Sequence, residues 1–202
     1  MLTRRHSSSP AVLAGLTFAG VVATLIVATV LNSGSPSHGA DIANIGNGWA
    51  PPSGVPATNL NAAGAAAPYA LYRPQDALAS DSSISRVYVT GGGASTNVRL
   101  GYTSGVIVVL TPWPAGKDAA SSYQRQWTES GQLGTLETIN GHPAWVVPGS
   151  AGATPIQVAG GGLSGVIDPS INTVEMTIAN VDILIAGPQS VGDLLRVAST
   201  VA

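Results

Sequence analysis

Apolar residues fall along this chain in three regimes. From Ala11 to Leu31 they run for 21 positions without a charge or a strongly polar side chain, which as a helix spans roughly 31 Å at about 1.5 Å per residue, the thickness of a hydrocarbon core. From Asn32 to Ala66 the pattern dissolves into Ser, Gly, Pro, Asn and Ala with Asp41 as the one charge, which predicts a flexible linker. Within it Ile42, Ile45 and Trp49 stand at helical spacing, the signature of a short surface helix, but without a sustained period. From Ala67 to Ala202 short β-branched runs alternate with Gly, Pro and Asn turns, as in an antiparallel sheet.

The elements of this last region follow from local patterns. Ile84–Thr90 and Asn97–Tyr102 flank Gly91-Gly92-Gly93, with Val98, Leu100 and Tyr102 on one side and Asn97 and Arg99 on the other, so one buried face is expected. Gly105–Leu110 reads as a central strand stopped by Thr111-Pro112-Trp113-Pro114. Lys117–Ser130 carries Ala120, Tyr123 and Trp127 as a helical stripe ending near Gly131. Asn140-Gly141 between Gly134–Ile139 and Pro143–Val147 is a hairpin signal, with His142 placed in the turn. Pro155–Val158 adds a strand. In Asn172–Ile178, Val174, Met176 and Ile178 face in while Glu175 and Thr177 face out, and Ala179-Asn180 turns into Val181–Ala186. Ser190 then caps a helix with Asp193 at its third position and Val191, Leu194, Leu195, Ala198 and Val201 as its apolar stripe. The expected architecture is α+β, a mainly antiparallel sheet with two helices packed on one face, preceded by one transmembrane helix.

Charge orients this arrangement. Arg4 and Arg5 precede the apolar run and no Lys or Arg follows it until Arg73, so the positive-inside bias leaves residues 1–10 as a cytoplasmic tail, 11–31 as the anchor, 32–66 as linker and 67–202 outside the cytoplasm. A cleaved signal needs only about 7–15 apolar residues and a small residue three before the cut, where His38-Gly39-Ala40 offers a histidine; the anchor is therefore expected to be retained. His6-Ser7-Ser8 after the arginine pair lacks the apolar residues of a twin-arginine signal. Gly15, Ala19 and Ala23 share one face of the anchor, a small-residue pattern that permits weak homodimer contact. Charged residues make up 9% of the chain and the net charge beyond residue 10 is −4, without a basic cluster, which disfavours nucleic acid as a partner. Cysteine is absent, so disulfides and thiolate metal sites are excluded.

Several stretches together have a familiar order: Tyr72-Arg73-Pro74, Val98–Tyr102 with its Val-x-Leu-x-Tyr spacing, Ile139-Asn140-Gly141-His142-Pro143-Ala144-Trp145, and Ser190–Ala198. In these the region 67–202 resembles a bacterial extracytoplasmic domain of unknown function that follows a single membrane helix, with relatives among proteins similar to anti-sigma factors and lipoprotein-sorting or envelope-stress sensors. The resemblance implies fold and location and brings no catalytic residues with it. The ten-residue tail here is too short to fold into a sigma-factor-binding domain.

Candidate chemistry is sparse. His6, His38 and His142 lie in separate regions, so no metal or cofactor is expected. His142 is a candidate base or surface contact, with turn residue as its plainer role. Gly162-Leu163-Ser164-Gly165-Val166 lacks the last glycine of a nucleophile elbow, and Gly160–Gly165 matches a dinucleotide loop but leads into Val166-Ile167-Asp168-Pro169, read as strand and turn. The carboxylate pairs Asp76/Asp81 and Glu175/Asp182 fit a glycosidase only across a sugar-sized cleft. Asp168–Asn172 offers oxygen ligands without the Gly and distal Glu of an EF-hand loop. Trp113, set between two prolines, is either a rim aromatic for a protein, glycan or lipid contact or a lid folded onto the core. The expectation is a non-catalytic, membrane-tethered binding or sensing module of the bacterial cell envelope. The alternatives are a small envelope hydrolase using carboxylates with His142, and a structural surface protein.

Overall fold

The computed structural model describes residues 54–149, 154–157, 164–167 and 171–202, all within one compact unit, Ser37–Ala202. The anchor, with Gly15, Ala19 and Ala23, lies outside the described residues, and among the described residues no helix is long and apolar enough to cross a membrane. Seven strands form one antiparallel sheet: β1 (Ile84–Thr90), β2 (Asn97–Tyr102), β3 (Ile107–Pro112), β4 (Thr135–Ile139), β5 (His142–Val147), β8 (Asn172–Ile178) and β9 (Val181–Gly187), in the order β1-β2-β3-β9-β8-β5-β4. Strands β6 (Thr154–Gln157) and β7 (Ser164–Ile167) pair with each other as a separate two-stranded sheet. Among the described residues three α-helices accompany them: α1 (Leu60–Ala66), α2 (Ala119–Glu129) and α3 (Val191–Ser199).

The tight turns obey local chemistry. Asn140 (φ 51°) and Gly141 (φ 82°) both take left-handed conformations, the two-residue turn whose twist suits a hairpin, so His142 is the first residue of β5, paired with Ile139, and does not belong to the turn. Ser190 accepts from the Asp193 amide at 3.2 Å and opens α3, as its spacing predicts. Asp118 does the same for α2 through the Ser121 amide, so the helix begins at Ala119, two residues inside the expected start at Lys117.

The sheet is covered on both sides, which corrects the expectation of two helices on one face. On β5, Ala144 and Val146 join the main core with Leu194, Val197 and Ala198 of α3 and Ala63 of α1, whereas Trp145 and Val147 join a second cluster with Trp113 and Tyr123 of the α2 side. Alternation along one strand therefore sends neighbours to opposite helices. Two further expectations fall with it. All six residues of β2 are buried, and Glu175 and Thr177, expected to face solvent, are 2% and 5% exposed because they lie on the second face. The linker reading also ends too late: within 32–66, α1 forms with Asn59 accepting from the Ala62 amide, Ala63 is buried, and Thr58 pairs with Val87 at the edge of β1.

Candidate functional site

Ionisable side chains gather on the second face, beneath α2. Register places Asp182 of β9 opposite Thr111 of β3 on one side and Thr177 of β8 on the other. Tyr123, wholly buried on the inner side of α2, reaches down between them: its hydroxyl lies 2.8 Å from Thr177 Oγ1 and donates to Asp182 Oδ1 at 3.0 Å. Thr111 donates to Asp182 Oδ2 at 3.4 Å. Burial holds the Tyr123 phenol well above its ordinary pKa, and the negative charges of Asp182 and Glu175 push it further the same way, so it stays a neutral donor. Asp182 has no exposed surface. No reactant meets that carboxylate while α2 is seated, so the arrangement fastens helix to sheet. The sequence signal for it was a single acid inside an apolar strand, Val181-Asp182-Ile183.

The residues singled out by sequence separate in space. Trp113 is 7% exposed, its ring centroid 5.9 Å from that of Tyr123 and its Nε1 donating to the Lys117 carbonyl at 2.8 Å; it is a lid on the second cluster, and the rim reading is corrected. His142 is half-buried and shares the face of Ala144 and Val146, while Glu175 and Asp182 project from the other face, so the sheet itself stands between the histidine and these carboxylates. Asp76 is held by Arg196, and Asp81 by Arg73. Asn172 accepts from the Gly149 amide and donates to the Gln189 carbonyl, both structural bonds, while Asp168 lies outside the described residues. Ser164 and Gly165, at the end of the glycine-rich match, belong to strand β7 where a dinucleotide loop would need a helix.

One groove opens where α2 meets the β4 edge of the sheet. It encloses about 430 Å³ and is lined by Ala120, Tyr123 and Gln124 of α2 and, from the hairpin, by the three residues Leu136, Glu137 and Thr138 of β4 with Pro143 and Ala144 of β5. Two indoles tie down the chain entering β4: Trp127 Nε1 donates to the Gly134 carbonyl at 3.2 Å and Trp145 Nε1 to the Leu133 carbonyl at 2.8 Å. Because the turn leaves Ile139 and His142 as a hydrogen-bonded pair, Glu137/Ala144 and Thr135/Val146 are bonded pairs too, and the amides and carbonyls of Leu136 and Thr138 point away from the sheet. Pro143, which has no N–H, sits opposite Thr138, at a position that gives β4 no bond. Comparison of the chain with protein-family models, with curated proteins and with solved structures found no match.

Proposed function

We propose that this chain is a membrane-tethered, extracytoplasmic binding or sensing module of a bacterial envelope, acting without a catalytic centre of its own. The observation that carries the reading is the uncharged run Ala11–Leu31, preceded by Arg4 and Arg5 and followed by no basic residue until Arg73. A small domain on such an anchor works by contact with what lies beside the membrane. The groove between α2 and β4 supplies a surface for that contact. The pairing of Asp76, Asp81 and Asp182 with structural partners supports binding over hydrolysis, as does the placement of His142 on the other face from Glu175 and Asp182.

Two measurements on the 202-residue chain, one in its membrane and one after detergent extraction, test the reading. Protease added outside intact spheroplasts should degrade residues 54–202 and leave a fragment containing Met1–Arg5, and envelope extract should raise the melting temperature of the detergent-extracted protein. A domain protected from external protease, an N-terminus found at Asp41, or a melting temperature indifferent to extract would overturn it.

A further inference from the structure

Resting on the reading of this chain as a binding module, we propose that the outer edge of β4 takes an extended peptide segment of a partner protein as an eighth strand, with a lysine or arginine opposite Glu137 and an apolar residue on either side of it. The edge is prepared for this in its backbone. Leu136 and Thr138 each turn an amide and a carbonyl outward, β4 is the last strand of the sheet, and none of these four groups has a hydrogen-bond partner among the described residues. At the opposite edge the chain adds a residue of its own, the Thr58 amide donating to the Val87 carbonyl at 2.9 Å.

Alternation then defines the ligand. An antiparallel strand bonded to Leu136 and Thr138 places the residues opposite these two on the second face, toward the groove that Ala120, Tyr123 and Gln124 line. The residue between them falls opposite Glu137 as the close, non-bonded pair, on the first face, where Glu137 is exposed. A cation is favoured there. A second copy of the chain is not: the twofold register that bonds both Leu136 and Thr138 sets Glu137 against its own counterpart. Registers shifted by one residue in either centre bring in Gly134 or Asn140, whose φ values of 71° and 51° do not continue a strand.

The test uses the 202-residue chain in detergent micelles and two synthetic pentapeptides, acetyl-Thr-Val-Lys-Val-Thr-amide and its Glu-centred counterpart. Amide hydrogen exchange at Leu136 and Thr138 is read by NMR. With the Lys peptide at ten times its Kd, exchange at both amides should slow about tenfold, and the Glu peptide should bind more weakly. Thr138→Pro removes one outward amide without a bond to β5, so it should melt like the parent and lose the protection. Glu137→Lys, which alters no backbone group, should reverse the preference to the Glu peptide. Absence of protection by the Lys peptide, or a preference unchanged by Glu137→Lys, overturns the proposal. If envelope extract stabilises the parent and Thr138→Pro equally, the binding-module reading stands and the β4 edge is not its site; if it stabilises neither, the module reading itself fails.

Discussion

The phenol of Tyr123 on α2 and the carboxylate of Asp182 on β9 are 59 residues apart in sequence and meet at 3.0 Å inside the second face of the sheet. A hydrogen bond to a buried charge is among the stronger ones, and removing its donor leaves the acceptor desolvated. Tyr123→Phe is expected to cost about 1.5–3 kcal/mol in urea denaturation. In an Asp182→Asn background the same change should cost less, because a neutral amide depends less on the donor. Equal costs in the two backgrounds would show that the tyrosine acts through packing alone.

Arg196 and Asp76 make the second long-range tie. The Arg196 Nε donates to Asp76 Oδ2 at 2.9 Å and Nη1 to Asp193 Oδ1 at 3.0 Å, which fastens α3 to the segment before β1. The side chain of Asp76 is 9% exposed, whereas the Arg125–Glu129 pair on α2 is exposed on both sides. Arg196→Ala should therefore lower the melting temperature more than Arg125→Ala at pH 7. The Arg196 bond, followed by the Leu78 amide, holds the Asp76 carboxyl below its usual pKa. A depressed carboxylate contributes stability above its unfolded pKa and loses it as pH falls through the folded value. The difference between the two variants should thus be full at neutral pH and shrink below about pH 4. A pH-independent difference would remove the ion pair as its cause.

Gly131 and Gly134 shape the turn that leads from α2 into β4. Both hold left-handed conformations, φ 71° and 78°, so an alanine at either is strained by about 1–3 kcal/mol. At Gly131 a Cβ meets nothing within 4 Å, but at Gly134 it would overlap the backbone carbonyl oxygen of Val146. Gly134→Ala should destabilise at least twice as much as Gly131→Ala by denaturant midpoint and shift the Trp127 fluorescence. Equal effects would mean that β4 yields freely at its start.

Features written in local chemistry were legible in the sequence. Asn140-Gly141 and Ser190 with Asp193 act over two or three residues, and each does in the structure what its spacing implies. Alternation likewise reported that Glu175 and Thr177 lie across β8 from Val174 and Met176. It could not report that the far face is dry, because that depends on where α2 docks. Leu60–Ala66 was missed for a different reason: a seven-residue, Ala-rich helix has no period distinguishable from a linker, and its support comes from the Asn59 cap and the burial of Ala63. The partners of Tyr123 and Arg196 are 59 and 120 residues away, a distance over which no spacing rule operates. Of the candidate site, the hairpin was readable, but the groove arises from the docking of α2 beside it and was not.

Helix α3 packs on the first face of the sheet. Its stripe was expected to run through Val191, Leu194, Leu195, Ala198 and Val201; Leu194, Ala198 and Val201 are buried in the core, Val197 joins them, and Val191 and Leu195 lie at its margin. The helix lies against β8, β9 and β4, so these side chains meet Val174, Met176, Ile183 and Ile185 at the centre of the first face. A fully buried leucine cut to alanine loses both its transfer energy and the packing around the cavity left behind, about 2–5 kcal/mol against a total stability of about 5–15 kcal/mol. Leu194→Ala should reach that range, and Leu195→Ala should cost less because its side chain keeps part of its solvent contact. Beyond the helix, the Arg73 amide donates to the Ala202 carbonyl at 3.1 Å and the Ala202 amide returns to the Arg73 carbonyl at 3.2 Å, so the last residues also pair with the segment leading to β1. Truncation after Gly187 removes the core residues, the Arg196 clasp and this pairing together, and is expected to abolish the cooperative transition followed by circular dichroism. If the truncated chain melts as sharply and as late as the parent, α3 is an appendage, and the sheet must hold its first face closed by other means.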